Sequence, residues 1–446
     1  MTQALPQSST GSRARTDGFY LMLLGSIGFV LFGFVLMSAD RVPVLDFRTA
    51  YYCGDCLLHV HCDPYSERDV DALYSQRVER YPVSDRNRKV ITRNPYLPSV
   101  YVVAVPLALL PFGMGQALWL LAIVASFIVA SFLMWSLARD RAPILGAALL
   151  AFCLANSGSL IYFGNPAGFV VPLCVIATWC FVRQRYAALG IACLAVSLAF
   201  KPHDGGLVWL YFLLAGGELR RRALQTLAAV AAFTIPAVLW TMYIAPQWLH
   251  EMNANLQSFS VPGAMNDPSR GHGTLVLTNL QTITSFFWPD PHAYNLAAYL
   301  LFAPLLIIWI VLVLRARATR NSAWFALASI ACFSMLPLYH RQYDAKLIIL
   351  SIPAFAVLWV RSDRIAWIAL AVTGLAFVLN GDLPWVAFLT AVRVLHLNPS
   401  APWLVALWDF SVPVSLTLLG VFYLWMLGRQ SHLSAAAADE PLFATP

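Results

Sequence analysis

The stretch Gly115–Leu137, GQALWLLAIVASFIVASFLMWSL, decides the fold class of this chain of 446 residues. It holds no charged residue, and as an α-helix it is long enough to cross roughly 30 Å of hydrocarbon. Similar blocks recur at Phe19–Ser38, Ala142–Phe163, Leu224–Ile244, Asn295–Leu314 and Trp403–Leu427. No segment shows the alternating pattern of membrane-barrel strands. The sequence therefore predicts an all-α, polytopic integral membrane protein.

The composition excludes an ordinary soluble domain. Hydrophobic residues make up 59% of the chain, charged residues 11%, and the mean hydropathy is +0.67. Soluble proteins carry roughly 25% charged residues. The net charge of +7 does not indicate a nucleic-acid partner, because the basic residues lie singly or in short clusters between apolar blocks.

Arginines mark one side of the membrane. The short loops and tails hold 15 of the 29 basic residues, and all 15 can lie on the cytoplasmic side together. They are Arg13, Arg15, Arg139, Arg141, Arg183, Arg185, Arg220, Arg221, Arg222, Arg315, Arg317, Arg320, Arg361, Arg364 and Arg429. This pattern predicts a multi-pass protein of the plasma (inner) membrane with both termini in the cytoplasm.

That orientation requires that residues 96–112 do not cross the membrane by themselves. The segment is short and contains Pro98, Pro106 and Pro111, which interrupt helical hydrogen bonding. We predict a re-entrant or interfacial hairpin here. A crossing segment, compensated by a span missed elsewhere, is the alternative.

The resulting organisation has about 12 spans, near 19–38, 115–137, 142–162, 166–182, 186–200, 205–217, 223–244, 293–314, 322–339, 345–360, 365–380 and 403–427. A cytoplasmic tail, 1–18, precedes the membrane domain, 19–427, and a disordered cytoplasmic tail, 428–446, follows it. Two large loops, 40–95 and 245–292, face the periplasm. The first is predicted to contain an interfacial helix, whose apolar face comprises Val70, Leu73, Tyr74, Val78 and Tyr81.

Reactive residues concentrate on the outer side. Eight of the nine histidines fall there, and two dense polar clusters lie at span ends, at 201–204 (KPHD) and 340–344 (HRQYD). Charged residues at span ends are costly unless they are paired or hydrated, so such clusters often mark functional sites. The alternative is snorkelling or a structural ion pair.

Among single residues, Asp46 is the most specific candidate for a catalytic role. It follows the first span by a few residues, and a carboxylate above an apolar wall is partly desolvated, which raises its proton affinity and suits a general base. The alternative is an N-cap for a helix that starts at Phe47.

The first loop also contains Cys53, Cys56 and Cys62, close to His59 and His61. In an oxidising periplasm a disulfide, Cys56–Cys62 or Cys53–Cys62, fits this spacing. Free thiols and a zinc site are the alternatives. We predict no metal requirement, because no carboxylate cluster has clear ligand spacing.

Several short motifs resemble glycosyltransferase family 87. They are Asp46-Phe47 with Tyr51-Tyr52, Asp63-Pro64-Tyr65, Asn94-Pro95-Tyr96-Leu97-Pro98, Tyr162-Phe163-Gly164-Asn165 and Leu198-Ala199-Phe200-Lys201-Pro202. Their order and spacing carry the resemblance, which extends to about residue 350. The family typically shows Gly-Gln where this chain has Gly164-Asn165, and asparagine can make the same amide hydrogen bonds but reaches one methylene less.

The resemblance implies a GT-C membrane fold and transfer of a hexose, typically mannose, from a polyprenyl-phosphate donor to a lipid or cell-envelope glycan. It implies that Asp46 is the catalytic base, and it implies no cofactor. The donor phosphate and sugar are then expected to contact Lys201, His340, Arg341, Tyr343, Asp344, Asn165 and Tyr51.

Acceptor binding is expected in the loop 245–292, through Trp248, His250 and His272. An interfacial aromatic belt is the alternative there. A lipid or glycan transporter or flippase is the main rival function, and a non-catalytic scaffold for envelope assembly is a third. Transporters usually carry their ionisable residues near mid-membrane, whereas these lie at span ends on one face.

Overall fold

The computed structural model describes residues 8–40, 43–77, 84–261, 263–264, 266–269, 277–316, 319–398 and 401–433. Within these ranges the regular structure is helical, and an isolated β-bridge joins Leu277 to Arg341. The all-α prediction is therefore confirmed.

The α-helices are α1 Ser8–Ser38, α2 Leu45–Asp55, α3 Glu67–Arg77, α4 Asp85–Thr92, α5 Tyr101–Ala108, α6 Phe112–Ala138, α7 Pro143–Ala155, α8 Ser159–Phe163, α9 Ala167–Val182, α10 Ala187–Phe200, α11 Pro202–Ala215, α12 Gly217–Ile244, α13 Trp248–Ser260, α14 Gln281–Phe287, α15 Pro291–Arg315, α16 Arg320–Phe333, α17 Ser351–Trp359, α18 Arg364–Leu379, α19 Asp382–Val394, α20 Pro402–Asp409 and α21 Ser411–Leu433. A π-helical turn follows α2 at Cys56–Val60, and 3₁₀ turns precede α5 and α17 at Pro98–Val100 and Asp344–Leu350.

Six helical segments of the described chain are long and apolar enough to cross a membrane: 12–38, 112–138, 143–163, 217–244, 291–315 and 402–430. A seventh is obtained if α18 and α19, which meet at a bend of 61°, count as one span. Other predicted spans coincide with shorter helices. For example, α9 and α10 have 16 and 14 residues. Helices of that length rise only about 21–24 Å. The protein thus has several candidate spans, and the count of 12 stays a prediction.

The two terminal helices extend beyond the predicted spans. The first begins at Ser8, inside the predicted tail 1–18, and the last reaches Leu433, so residues 428–433 are helical, unlike the disordered tail that we predicted. Hydropathy locates the end of an apolar stretch, whereas a helix continues for as long as its backbone hydrogen bonds do. Residues 434–446 lie outside the described ranges.

The segment 96–112 forms the short helix α5, which packs against α2. Its eight residues rise about 12 Å, well under half of the hydrocarbon thickness. This helix alone is too short to cross the hydrocarbon, and the re-entrant or interfacial hairpin stays a prediction.

The first large loop is a folded helical layer. Helix α3 buries Val70, Leu73 and Tyr74, as its apolar face predicted, while Val78 and Tyr81 lie outside the described residues. Ion pairs tie α3 to α4, and Thr49 of α2 donates a hydrogen bond of 3.1 Å to the carbonyl of Val90 in α4. This layer fixes the position of α2 and, with it, of Asp46.

Candidate functional site

A cavity of about 560 Å³ opens between the first-loop layer and the helical bundle. That volume is typical of a small-molecule site. Its wall combines apolar side chains from α4, α10 and α13 with polar ones from several distant segments. Six of the predicted site residues line it: Asp46, Asn165, Lys201, Arg341, Tyr343 and Asp344.

Asp46 lies in the first turn of α2, half-buried. Its carboxylate accepts a hydrogen bond of 2.7 Å from the side-chain amide of Asn165. The N-cap alternative is wrong, because α2 begins at Leu45, and Val44 occupies the cap position without a side-chain hydrogen bond. The carboxylate is thus directed to the cavity and not to its own helix.

Asn165 is held by the turn between α8 and α9. Its side-chain oxygen accepts a hydrogen bond of 2.9 Å from the backbone of Ala167 at the start of α9. The preceding Gly164 has φ 60°, and a Cβ at this position would collide with Val44. Glycine therefore allows this turn to approach α2 closely enough for an amide as short as asparagine to reach Asp46.

Burial raises the pKa of Asp46 above the ordinary range of a carboxylic acid. The hydrogen bond from Asn165 and the positive charges of Arg341 and Lys201 act in the opposite direction, and burial outweighs them. A carboxylate with raised proton affinity is well matched to the removal of a proton from a hydroxyl group.

Lys201 follows the last residue of α10 and is buried between two acids. Its Nζ lies 2.5 Å from Asp344 Oδ1 and 3.3 Å from Asp204 Oδ2. Burial lowers the pKa of Lys201, but the two carboxylates outweigh that effect and raise it, so the ammonium stays charged. Lys201 also lines the cavity, and an ammonium has a third donor beyond these two contacts.

Arg341 is a second cation in the wall of the cavity. Its Nη2 donates to Asn266 Oδ1 at 3.1 Å, and its Nε donates to the hydroxyl of Tyr339. Its backbone N–H donates to Asp344 Oδ2 at 2.9 Å, which binds this segment to the Lys201 cluster. Asn266 and Tyr339 are both uncharged acceptors, and the guanidinium lines the cavity, where it can bind an anion.

His340 does not line the cavity, contrary to its expected contact with the phosphate. It is fully buried, and its Nδ1 lies 3.2 Å from Asp204 Oδ1. Residues 339–341 run extended into the bridge with Leu277, so neighbouring side chains point in opposite directions. Tyr339 and Arg341 therefore face the cavity, and His340 lies behind it and supports Asp204.

Three of these residues could in principle hold a metal ion. His203, Asp204 and His340 each offer one ligand atom, and these atoms lie within 4.8 Å of one another. Two imidazoles and a carboxylate form a set that zinc accepts. However, the Lys201 ammonium already lies 3.3 Å from this carboxylate, and a divalent cation would be repelled by it. We therefore interpret the group as an ion-pair cluster, and the absence of a metal requirement stays a prediction.

Tyr51 was expected at the donor site, but it does not line the cavity. Its hydroxyl donates to the carbonyl of Leu110 at 2.7 Å, which fixes the turn between α5 and α6. Five positions along a helix correspond to a rotation of about 140°, so Tyr51 lies on the face of α2 away from Asp46.

Trp248 and His250 were expected at the acceptor site, and neither lines the cavity. Trp248 packs on Tyr65 with ring centroids 5.9 Å apart, and His250 is exposed. The same helix, α13, presents its other face to the cavity through Met252, Leu256 and Phe259. His272 lies outside the described residues.

Several wall residues were missed by the sequence reasoning. Tyr96 and Tyr162 belong to motifs that had been noted without a role for these two side chains. Tyr339 adjoins a cluster that had been noted. Arg86 and Trp385, from α4 and α19, carried no signal, because only the tertiary fold brings their helices to the site.

The cysteines of the first loop lie beside the site and not in it. Cys56 and Cys62 form a disulfide with Cα atoms 5.1 Å apart, and Cys53 is buried with a free thiol. His59 contacts Asp55 at 2.6 Å. No group that includes these cysteines is close enough to bind a metal in the described part of the chain.

The fold and the cavity define a helical membrane protein in which a carboxylate, its amide partner and two cations face one chamber. The family model described as glycosyltransferase family 87 matches residues 94–338, more than half of the 446 residues. The chain therefore belongs to glycosyltransferase family 87, and it is an enzyme that transfers sugar. No curated protein sequence matches it.

Proposed function

We propose that this enzyme transfers a hexose, mannose by resemblance, from a polyprenyl-phosphate donor to a lipid or cell-envelope glycan acceptor, with Asp46 as general base. One observation carries the proposal: a carboxylate that accepts a hydrogen bond of 2.7 Å from Asn165 lines the same cavity as Arg341 and Lys201. A base and an anion-binding wall in one chamber are what this reaction needs.

In the proposed reaction the acceptor hydroxyl attacks C1 of the donor sugar. The bond between C1 and the phosphate oxygen breaks, its electron pair leaves with polyprenyl phosphate, and the hydroxyl proton passes to Asp46. Negative charge grows on the departing phosphate, so positive groups facing it stabilise the transition state more than the ground state. We assign this role to Arg341 first, and to the remaining donor of Lys201.

The cavity has an apolar side and a charged side, which supports the proposal that its substrates are linked to lipids. Met252, Leu256 and Phe259 give the cavity an apolar side, and the charged residues give it a polar one. A sugar phosphate on a long isoprenoid has the same division between head and tail. We assign Tyr343 and Asp344 to contacts with the sugar hydroxyls, and Tyr96 lines the same cavity.

The arginine pattern supports an orientation in which this cavity opens to the periplasmic side of the plasma membrane and both termini are cytoplasmic. It requires an even number of crossings, for which we propose 12. With that topology the donor phosphate lies at the outer surface of the bilayer, at the depth of the Lys201 cluster.

The test is sugar transfer by the purified protein in detergent, with polyprenyl-phosphate hexoses and envelope lipids as substrates. We expect glycosylated acceptor and free polyprenyl phosphate. We also expect Asp46→Asn to bind donor but to transfer at least about a hundredfold more slowly, the usual scale for a lost general base. Near-normal turnover of Asp46→Asn would contradict its role. Movement of intact sugar lipid across a vesicle membrane, without transfer, would favour the transporter instead.

A further inference from the structure

We infer that Asp382 is a positioning residue that fixes the two reactive walls of the cavity relative to each other, an inference that rests on the proposed function. Asp382 begins α19, which lies beyond the family match at 94–338. It touches no cavity atom itself, because it is not among the lining residues.

The carboxylate of Asp382 is completely buried and fully hydrogen-bonded. Its Oδ2 accepts from the backbone N–H of Ser159 at 2.7 Å, and its Oδ1 accepts from Ser159 Oγ at 2.7 Å. Oδ1 also accepts from the side-chain amide of Gln342 at 3.2 Å. A single carboxylate therefore joins two segments that are far apart in the sequence.

Each of these segments leads directly to the site. Ser159 begins α8, a single short helix that ends at the Gly164 turn, and the next residue is Asn165, which donates to Asp46. Gln342 lies between Arg341 and Tyr343, both of which line the cavity. Asp382 thus connects the residue that orients the base to the residues that face the proposed phosphate.

The backbone around Asp382 is tied to the same region. Its N–H donates to the carbonyl of Asn156 at 3.1 Å, and Leu383 N–H donates to Asn156 Oδ1 at 2.6 Å. The buried Lys346 donates to the carbonyl of Asn380 at 2.5 Å, at the break between α18 and α19. Backbone groups released by a helix break inside a membrane protein need such partners. The bend is therefore fixed, and it also brings Trp385 to the cavity wall.

This arrangement predicts that a substitution of Asp382 lowers the rate of sugar transfer, whereas loss of a purely structural contact would lower only stability. In Asp382→Asn one acceptor oxygen becomes an amide nitrogen, so that position no longer accepts: either the bond from Ser159 N–H at Oδ2 or the bonds from Ser159 Oγ and Gln342 at Oδ1 are lost. The segment that holds Asn165 and the segment that holds Arg341 are then held less firmly relative to each other. Misplacement of a catalytic group by about 1 Å can reduce turnover about a hundredfold.

The experiment compares Asp382→Asn with Asp363→Asn in the full-length protein. Asp363 caps the start of α18 by accepting a hydrogen bond from Ala366 N–H, whereas Asp382 lies beyond the other end of α18. For Asp382→Asn we expect kcat to fall about tenfold to a hundredfold. We expect the acid limb of the pH–rate profile to move to higher pH, because a weaker Asn165 bond leaves the pKa of Asp46 higher. Asp363→Asn should lose a little thermal stability and keep both kcat and the pH profile.

A cryo-EM structure of each folded variant supplies a readout independent of activity. We expect the hydrogen bond between Asn165 and Asp46 to be lost in Asp382→Asn and kept in Asp363→Asn. If Asp382→Asn does not fold, Ser159→Ala, which removes only the Oγ donor, is measured in the same way. Wild-type kcat and pH profile in a folded variant with an intact Asn165–Asp46 bond would overturn the inference. An inactive wild-type protein would instead refute the proposed function, and the structures would still test the positioning.

Discussion

At the scale of single residues, the proton affinity of Asp46 depends on neighbours that lie far from it in the sequence. Asn165 donates to its carboxylate at 2.7 Å, and Arg341 and Lys201 add positive charge, while burial raises its pKa. Asparagine stands here where the family typically has glutamine, yet it makes the contact, because the Gly164 turn brings the chain close to α2.

Asn165→Ala is expected to shift the pH dependence of transfer. In the wild-type protein the hydrogen bond from Asn165 favours the ionised carboxylate of Asp46. Without that bond the pKa of Asp46 rises further, and less of the base form is present at a given pH. The acid limb of kcat/KM against pH should therefore move to higher pH. Asn165→Gln, which keeps the amide, should move it less. An acid limb at the same pH in Asn165→Ala and in the wild-type protein would show that Asn165 does not affect the pKa of the catalytic base.

Arg341 and Lys201 are expected to behave differently on truncation. Arg341→Ala should weaken binding of polyprenyl phosphate by about 10–150-fold, which corresponds to a charge-assisted contact of about 1.5–3 kcal/mol. Lys201→Ala leaves two buried carboxylates without their cation, and that should cost about 3–5 kcal/mol of stability. Binding in nanodiscs and thermal unfolding measure the two effects. Unchanged phosphate affinity in Arg341→Ala would place the anion site elsewhere.

At the scale of helices, the face that an element presents decides which of its residues can act. On α13 the residues Met252, Leu256 and Phe259 share one face toward the cavity, and His250 lies almost opposite Met252. Aromatic and histidine content identified the right segment, but not its orientation, because several faces of α13 carry residues suited to binding.

A pair of substitutions on α13 tests this assignment. Phe259→Ala removes a half-buried apolar part of the wall and should raise the KM for a lipid-linked substrate by about tenfold or more, since full burial of an aromatic ring by the substrate contributes about 1.5–3 kcal/mol. His250→Ala, on the exposed face, should leave KM and kcat unchanged. Steady-state kinetics with donor and acceptor varied separately shows which substrate the wall contacts. The opposite ranking of the two variants would contradict the assignment.

At the scale of the whole molecule, the distribution of arginines predicts which loops face the cytoplasm and which face the outside. We expect single cysteines at Arg68 to react with an impermeant maleimide in intact cells, and those at Asp140 and Arg221 to react only after permeabilisation. All three side chains are well exposed, at 91%, 64% and 68%, so protein burial cannot hide them. A background without free cysteines is the control. Labelling of position 221 from outside would contradict this topology: either the whole protein is inverted, or an odd number of spans before residue 221 was missed.

The sequence by itself determined the helical membrane class, the family and the segments that hold Asp46, Lys201 and Arg341. These features depend on local composition and on motif order, both of which are present in short stretches of chain. Apolar length did not determine the number of crossings, because helices such as α9 and α10 are shorter than the bilayer.

Only the tertiary structure decided which members of each cluster face the cavity. His340 and Arg341 are neighbours, yet the extended backbone turns one inward and the other to the wall. Tyr51 and Asp46 lie on different faces of one helix, and Asp382 reaches the site from beyond the family match. Such roles depend on the direction of a side chain and on contacts between segments far apart in the sequence, and neither is encoded in a local pattern of residue types.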